Sequence, residues 1–284
     1  RLSIFRPDSE ISRLNLSAGA SPSLVSAQTE EVLRLSLRYA DATGGAFDPT
    51  VGPLVRFWGF NKGAPLSTAP DQAMIRSVLQ RVGYRRVVIS NRTVRLDLKG
   101  MEVDLGGIGK GYAVDVCYAA MVTNGLHNLM LNLGGNIRCR GLAAPGRPWS
   151  VGVRDPFHPD RIVGAVRMAD GMAVATSGCY EKFVTIDGKR YTHILDPRTG
   201  RPVAGVASVT VIATNAVEAD AMSTAVFVLG LKDSEPILRR MPGCCAIFIP
   251  DERPTRVYML RGAGGLFVSD PAFEGKIIEV GKEI

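Results

Sequence analysis

Asp220 and Thr224 stand four residues apart in the apolar stretch "AVEADAMSTAVFVLG". If the stretch is helical, this spacing is about one turn, so the carboxylate and the hydroxyl share a face. An oxygen-only ligand set suits a hard cation such as Mg²⁺, which binds carboxylates together with water and substrate phosphates. Ser223 supplies a further oxygen. The segment alone is equally compatible with another arrangement, in which Thr224 bonds back to a helix carbonyl and Asp220 caps or pairs with a basic side chain.

A glycine-rich segment, "VDLGGIGKGYAVD", is predicted to follow a strand and to open a helix. Its glycines allow a ligand to approach the backbone closely, and the helix N-terminus and Lys110 add positive potential that suits a phosphate. The spacing matches neither a P-loop nor a dinucleotide fingerprint. A tight strand-to-helix turn with a solvated lysine explains the segment equally well.

The segment "AFDPTVGPLVRFWGF" is rich in aromatic residues, and Asp48 precedes a proline that favours extended backbone. A flat aromatic ligand could stack here with Asp48 accepting a hydrogen bond. A well-packed loop with Asp48 as a capping residue is the alternative, and the segment alone favours it.

His193 lies in "YTHILDPRTGRPV", at the predicted end of a strand and before a turn rich in proline and glycine. The unperturbed pKa of histidine is near neutral, so a catalytic role and a structural role are both open. Ser177 and Tyr180 lie in "ATSGCY" without an identifiable base. The absence of GxSxG and HExxH leaves serine-hydrolase and zinc-protease functions unsupported.

Several predicted helices must position these groups. "SAQTEEVLRLSLRYADATGG" predicts a helix with Ser26 as its N-cap, and "TAPDQAMIRSVLQRVGY" predicts a second with Thr68 and Asp71 at capping-box spacing. "GKGYAVDVCYAAMVTNG" predicts a third helix that ends at Asn124-Gly125. "DSEPILRRM" predicts a short helix after the one that carries Asp220.

"RRVVISNRTVRLDL" predicts a hairpin that turns at Asn91-Arg92. Strand-like sequence then fills most of residues 128–195, with a turn at Asp187-Gly188, and a further strand follows in "VASVTVIAT". The strands cluster and the helices are interspersed without strict β-α-β alternation. We therefore predict an α+β fold with mixed or antiparallel sheets and packed helices. No repeat or linker is visible, so we expect a single compact, two-lobed domain over residues 1–284.

Composition excludes several classes of protein. The net charge of +7 suits an anionic ligand, but no basic block supports nucleic-acid binding. No apolar run is long enough to span a bilayer. Five scattered cysteines without a CxxC favour buried thiols over a metal site or a disulfide framework. The chain starts at Arg1, so we expect an upstream piece that carries any targeting segment.

Taken together and in order, seven segments resemble the ApbE-like family of FAD:protein FMN transferases. They are "DSEISRLN", "AFDPTVGPLVRFWGF", "VDLGGIGKGYAVD", "LNLGGNI", "ATSG", "HILDPRTGRP" and "EADAMSTAVFVLG". The resemblance implies an ApbE-like, T-fold-like architecture. It also implies an enzyme that uses Mg²⁺ to move the FMN half of FAD onto a Thr or Ser hydroxyl of a target protein, releasing AMP.

Residue by residue, the resemblance places the metal site on Asp220 and Thr224, with Ser223 and the carbonyl of Gly107 as further ligands. His193 is the candidate base, and Asp220 and His193 are the predicted catalytic residues. The predicted flavin-site positions are Phe5, Ala46, Phe47, Asp48, Asp104, Lys110, His193 and Ile194. Lys110 is expected to steady the phosphate oxygens.

The chain departs from the family pattern in three places. The strand that precedes the first motif in the family is not included here. Phe5 stands where many members have Tyr, so stacking is kept and a hydroxyl contact is lost. Cys179 stands where the family usually has a polar residue.

The resemblance also implies an acceptor protein with a Thr/Ser motif, expected to be a subunit of a membrane redox complex, and a periplasmic or exported, membrane-associated location. Two alternatives are kept. One is an FAD pyrophosphatase that gives FMN and AMP, and the other is a non-catalytic FAD-binding carrier.

Overall fold

The computed structural model describes residues 1–61, 66–180 and 182–280, and it mixes helices with mainly antiparallel sheets. The six helices of the described residues are α1 (Glu10–Leu16), α2 (Ala27–Ala42), α3 (Gly52–Phe57), α4 (Gln72–Leu79), α5 (Gly109–Thr123) and α6 (Ala216–Arg239). Two short 3-10 helices cover Tyr84–Arg86 and Ala263–Gly265.

Eighteen strands are present in the same ranges. They are β1 (Ser23–Leu24), β2 (Val87–Ser90), β3 (Thr93–Leu96), β4 (Leu129–Leu133), β5 (Asn136–Arg140), β6 (Leu142–Ala144), β7 (Arg147–Arg154), β8 (Ile162–Met168), β9 (Ala173–Gly178), β10 (Phe183–Ile186), β11 (Lys189–Thr192), β12 (Leu195–Asp196), β13 (Arg201–Pro202), β14 (Val206–Ala213), β15 (Cys245–Pro250), β16 (Arg256–Leu260), β17 (Phe267–Ser269) and β18 (Lys276–Val280).

Contacts divide the chain into two compact units. The first comprises Arg1–Gly109 with Glu181–Ala204, and the second comprises Lys110–Tyr180 with Gly205–Ile284. The expectation of one two-lobed domain over residues 1–284 stays a prediction.

The second unit contains two sheets whose buried residues form one hydrophobic core. The larger sheet has the strand order β18-β16-β15-β14-β9-β5-β4 and is antiparallel except for the parallel pair β16 and β18. The smaller sheet has the order β17-β8-β7-β6. Ile137 and Ile247 from the larger sheet and Val151 and Val166 from the smaller one belong to the same buried cluster.

Helix α6 packs on the central strand β14 of the larger sheet, and every residue of β14 is buried. The apolar side chains of α6 include Met222 and Phe227, both fully buried. Gly230 has φ 74° and ψ 179°, so the helix is broken there. The predictions of a helix over "AVEADAMSTAVFVLG" and of a separate short helix after it are therefore both confirmed.

The start of α6 is fixed by a carboxylate of α5. The two Asp115 oxygens accept hydrogen bonds from the backbone N–H groups of Ala216 and Val217, each at 2.9 Å. Asp115 Oδ1 also accepts from Arg138 Nη1 at 2.7 Å. Because helix N-termini carry unpaired N–H groups and partial positive charge, a carboxylate here stabilises α6 and sets where it begins.

Gly111 allows α5 and α6 to approach each other closely. A Cβ at Gly111 would collide with the carbonyl oxygen of Ala216 and lie 2.8 Å from Cβ of Asp220. The glycine is therefore required by the closeness of the two backbones, and not by an unusual backbone conformation.

The first unit combines α1–α4 with three small sheets. Strands β1, β3 and β2 form one sheet, and β10 pairs with β11 and β12 with β13. A buried cluster around Leu54, Trp58 and Ile75 includes Ile186 from β10, and the Trp58 indole N–H donates to the carbonyl of Gly200 at 2.9 Å. These contacts join the two chain segments of the unit.

The local sequence signals gave mixed results. Ser26 caps α2 by accepting from the N–H of Thr29, as predicted. The hairpin turn at Asn91-Arg92 is confirmed, since both residues have positive φ between β2 and β3. Thr68 was the wrong cap for α4, because Asp71 itself is the N-cap and accepts from the N–H of Met74 at 2.8 Å.

The predicted strand before the glycine turn is also wrong, since Glu102 makes only an isolated bridge with Val51. The physical reason is that the Asn15 side chain replaces a strand partner. It donates to the carbonyl of Val103 at 2.9 Å and accepts from the N–H of Val103 at 2.8 Å.

The cysteines partly follow the prediction of buried thiols. Cys139, Cys244 and Cys245 are buried, whereas Cys117 is exposed on α5. Within the described ranges, no helix combines the length and the apolar character needed to cross a membrane.

We predict that Gly111→Ala destabilises the fold. A new methyl group against a fixed backbone forces α5 and α6 apart, and overpacking of this kind costs about 1–3 kcal/mol. Gly109→Ala is the matched control, because a Cβ there lies 3.8 Å from Cβ of Leu105, an ordinary contact. Urea unfolding should give a lower free energy of unfolding for Gly111→Ala alone. Equal values for the two variants would contradict the close approach of the helices.

Candidate active site

The carboxylate of Asp220 is buried at the point where α6 meets α5. Its residue is only 3% exposed. Oδ2 accepts the backbone N–H of Gly111 at 2.9 Å, and Oδ1 lies 3.4 Å from the ammonium nitrogen of Lys110. The glycine segment therefore supplies both an amide and a cation to this carboxylate. Pairing of Asp220 with a basic side chain was one of the two arrangements that the sequence left open.

Asn136 completes the cluster and was not predicted as a site residue. Its side-chain amide donates to Asp220 Oδ1 at 3.1 Å and accepts from Lys110 Nζ at 3.3 Å. This orientation follows from chemistry, because an ammonium can only donate and a carboxylate can only accept. The one sequence signal was the position of Asn136 after the glycine pair in "LNLGGNI".

Burial raises the pKa of the Asp220 carboxyl above its ordinary value. The Lys110 ammonium opposes this shift most strongly, followed by the hydrogen bond from the Gly111 amide. The donors therefore offset part, but not all, of the desolvation penalty of a charged carboxylate in the interior.

The two hydroxyls near Asp220 have different surroundings. Ser223 is buried, and its Oγ donates to the carbonyl of Asp220 at 2.8 Å and lies 2.9 Å from Oγ of Ser177. Thr224 is half-buried, and among the residues that the structure describes its hydroxyl makes no hydrogen bond. The bond back to a helix carbonyl that the sequence allowed for Thr224 is therefore made by Ser223 instead.

This donor set fits Mg²⁺. One carboxylate and one hydroxyl that has no hydrogen bond among the described residues are hard oxygen ligands, and Mg²⁺ characteristically takes few protein ligands and completes its shell with water and phosphate. No group of three or more His, Cys, Asp or Glu side chains that could hold a metal ion occurs in residues 1–61, 66–180 and 182–280. Gly107, the predicted carbonyl ligand, lies in the turn that leads into α5.

Within the first unit, an open groove of about 500 Å³ has Phe5 on its wall. Phe5 is 51% exposed, so its ring is available for stacking. The groove is lined by Ile4, Phe5, Pro7, Ser12, Asn15, Leu16, Gly52, Arg56, Asn61, Glu102 and Val103. Its size falls within the range of small-molecule sites.

Asp104 follows the groove residue Val103 in the chain. Its Oδ1 accepts the N–H of Gly106 at 2.8 Å, and its carboxyl interacts with the side chain of Asn61, which lines the groove. Burial raises the pKa of the Asp104 carboxyl, and the bonds from Gly106 and Asn61 oppose that shift.

The Ala46-Phe47-Asp48 stretch is buried. Oδ1 of Asp48 accepts from the N–H of Thr50 at 2.7 Å and from its hydroxyl at 2.6 Å, and Oδ2 accepts from the N–H of Tyr84 at 3.0 Å. The interpretation of Asp48 as a loop-forming residue is therefore confirmed. Its contribution to a flavin site stays a prediction.

His193 lies directly after β11, as predicted, and is half-buried beside the ring of Phe60. Nδ1 lies 3.0 Å from the carbonyl oxygen of Lys182. Because a carbonyl only accepts, Nδ1 carries the proton, and in the neutral ring the basic lone pair is on Nε2. The neighbouring Ile194 is buried.

A family model described as "ApbE family" matches residues 1–248. The chain belongs to the ApbE family. The family prediction made from the ordered motifs is confirmed.

Curated ApbE-family relatives match most of the chain. A FAD:protein FMN transferase of Escherichia coli (strain K12) is 36% identical over 244 residues, which is 84% of this chain and 70% of that protein. A FAD:protein FMN transferase of Treponema pallidum (strain Nichols) is 38% identical over 269 residues, which is 89% of this chain and 74% of that protein.

Solved ApbE structures share the fold. The flavin transferase ApbE from Vibrio cholerae has a TM-score of 0.83 and 32% identity, covering 93% of this chain and 85% of its own. The ApbE protein from Thermotoga maritima has a TM-score of 0.84 and 34% identity with the same coverage of both chains. The predicted α+β class is confirmed.

The structure brings part of the predicted ApbE site together inside each unit. In the second unit, Lys110 and Asp220 are in contact, and Ser223 and Thr224 lie one turn further along α6. In the first unit, Phe5 and Asn61 line one groove, and the Asn61 side chain interacts with Asp104. The assignment of metal, flavin and catalytic roles to these residues stays a prediction.

We predict that Asp220 makes the protein less stable as the pH rises. The folded-state pKa is raised from an ordinary value of 3.8, so the unfolded chain gives up this proton first. The contribution of Asp220 is therefore most favourable below that value and is lost as the pH rises through the raised pKa. With a chelator present to remove metal ions, the free energy of unfolding of the wild type should fall relative to that of Asp220→Asn as the pH rises from 3.8 through the raised pKa. Parallel pH curves would contradict the shift.

Proposed function

We propose that this ApbE-family enzyme moves the FMN half of FAD onto a Thr or Ser hydroxyl of a target protein, releases AMP and uses Mg²⁺. The observation that carries the proposal is the buried carboxylate of Asp220 beside Lys110, with the Thr224 hydroxyl one helical turn away. A site built only to store a flavin has no need of such an oxygen pair.

Asp220 and Thr224 would hold the ion, with Ser223 and the Gly107 carbonyl as further candidate ligands. Bound Mg²⁺ supplies neutralisation of the charge on the FAD diphosphate. Thr224 offers its hydroxyl without having to break a hydrogen bond to any described residue. Ser223 would have to share an oxygen that already donates to the Asp220 carbonyl.

Lys110 and the N-terminus of α5 form the anion-binding part of the proposed site. The Lys110 side chain is 44% exposed, so its ammonium can reach a phosphate oxygen while it remains near Asp220. The backbone amides at a helix N-terminus add partial positive charge. Fixed donors of this kind stabilise negative charge as it develops, without reorganising during the reaction.

His193 is the proposed base. The acceptor hydroxyl loses its proton to Nε2 as its oxygen bonds to the phosphorus of the FMN half. The bond from that phosphorus to the bridging oxygen breaks, and AMP leaves with that oxygen. The Lys182 carbonyl holds the ring in the tautomer that this step requires. A well-placed base is worth about 10²–10⁴ in rate.

We assign the groove at Phe5 as the binding site of the isoalloxazine ring. Phe5 offers an exposed face for stacking, and the Asn61 and Asp104 pair offers polar atoms at one part of the lining. Aromatic pairs prefer offset or edge-on arrangements, which an open groove permits.

We further propose that the acceptor is a subunit of a membrane redox complex and that the enzyme works on the periplasmic side or in another exported, membrane-associated location. Both statements rest on the resemblance of the motifs to the family. The net charge of +7 agrees with an anionic dinucleotide substrate.

We predict that Asp220→Ala abolishes flavin transfer, because the ion loses its carboxylate. Purified protein is mixed with FAD, Mg²⁺ and a target domain, and flavin fluorescence is read in a denaturing gel. Asp233→Ala, at an exposed position after the break at Gly230, is the control and should transfer normally. Covalent flavin on the target with Asp220→Ala would refute the proposed role of Asp220. Free FMN without a target would favour hydrolysis, and intact FAD throughout would favour a carrier.

We predict that His193→Ala slows transfer by about 10²–10⁴ while FAD still binds. The reason is that the acceptor hydroxyl then has no base, whereas the groove and the phosphate donors are intact. Single-turnover transfer measures the rate, and flavin fluorescence quenching measures binding. His127→Ala, at an exposed position, is the control. An unchanged rate removes His193 from the role of base.

A further inference from the structure

Asn136 lies at the first position of β5, directly after the turn Gly134-Gly135, where both glycines have positive φ. Its residue is 3% exposed, although asparagine is usually found at the surface. Burial of a primary amide is costly unless its hydrogen bonds are made. Here the two partners are Lys110 and Asp220, which are the two charged groups of the proposed metal and phosphate site.

The separation of these two charges is longer than a short charge-assisted hydrogen bond. Lys110 Nζ lies 3.4 Å from Asp220 Oδ1, whereas charge-assisted N–H···O bonds usually close to about 2.7–2.9 Å. The Asn136 amide takes a hydrogen bond from the ammonium at 3.3 Å and gives one to the carboxylate at 3.1 Å. Each charged group is therefore partly satisfied by Asn136 and is held short of full contact with the other.

We propose that Asn136 is a positioning residue that keeps Lys110 from closing onto Asp220, which leaves the carboxylate available to a divalent cation and the ammonium available to phosphate. The inference rests on the proposed function. Without Asn136, the ammonium gains a shorter bond to Oδ1 and competes directly with the cation for it. Nearly half of the Lys110 side chain is exposed, so there is room for this movement.

The test is binding of Mn²⁺ alone to the full chain, measured from the electron paramagnetic resonance signal of the free ion. Removing an outer partner of a metal ligand typically weakens binding about 10- to 100-fold, and we expect that loss for Asn136→Ala. Asn132→Ala is the matched control on the same hairpin, since the Asn132 side chain accepts only from the N–H of Gly135 in the described contacts. It should bind Mn²⁺ like the wild type.

A second substitution separates positioning from mere structural support. If Asn136 acts by restraining Lys110, then adding Lys110→Met to Asn136→Ala should restore Mn²⁺ affinity to that of Lys110→Met alone. A purely structural role predicts no such rescue. Equal affinity of Asn136→Ala and wild type, or a double variant as weak as Asn136→Ala, overturns the inference.

Two further measurements keep the outcome interpretable. Thermal unfolding without metal checks that Asn136→Ala is folded. If it is not folded, Asn136→Ser replaces it and should show the same loss of Mn²⁺ affinity, because a serine side chain is too short to bridge both charges. Wild-type protein that binds no Mn²⁺ in an Asp220-dependent way refutes the cation role in the proposed function, and this inference with it. Wild-type binding with an unaffected Asn136→Ala refutes this inference alone.

Discussion

The second unit is organised around one carboxylate that is kept in the protein interior. Asp220 has three donors from two separate chain segments: the ammonium of Lys110 and the amide of Gly111 at the start of α5, and the side-chain amide of Asn136 on β5. A buried charge without such partners is strongly unfavourable. These donors can meet at Asp220 only if α5, α6 and the β4–β5 hairpin are in their observed places. The same packing of α5, α6 and the β4–β5 hairpin therefore builds the site and satisfies the buried carboxylate.

The closeness of α5 and α6 is the structural condition for that arrangement. Gly111 removes the side chain that would separate the helices, and Asp115 binds the first amides of α6 one helical turn further along α5. Arg138, stacked on Tyr118, holds Asp115 from the other side. Each of these residues has an ordinary structural explanation, and together they direct the Asp220 carboxylate toward the start of α5.

The features that were predictable from sequence depend on local interactions. The helix that presents Asp220 and Thr224, the Ser26 cap and the turn at Asn91-Arg92 are each determined within a few residues. Asn136 escaped prediction because its partners are distant in the chain and become neighbours only through the sheet and the two helices. The two hydroxyls after Asp220 could not be told apart for a related reason. Both lie within one turn, and only the contact with Ser177 of β9 shows that Ser223 faces the sheet.

The Asp115 carboxylate binds the first amides of α6, and the helical repeat from there determines where the Asp220 side chain points. An α-helix turns by about 100° per residue. One residue inserted or deleted between Ala216 and Asp220 would therefore swing the carboxylate a quarter-turn or more around the axis, away from the amide and the ammonium. The direction of the carboxylate therefore depends on the number of residues in this short segment. An inserted or deleted residue would separate the carboxylate from its donors even if every side chain of the segment were kept.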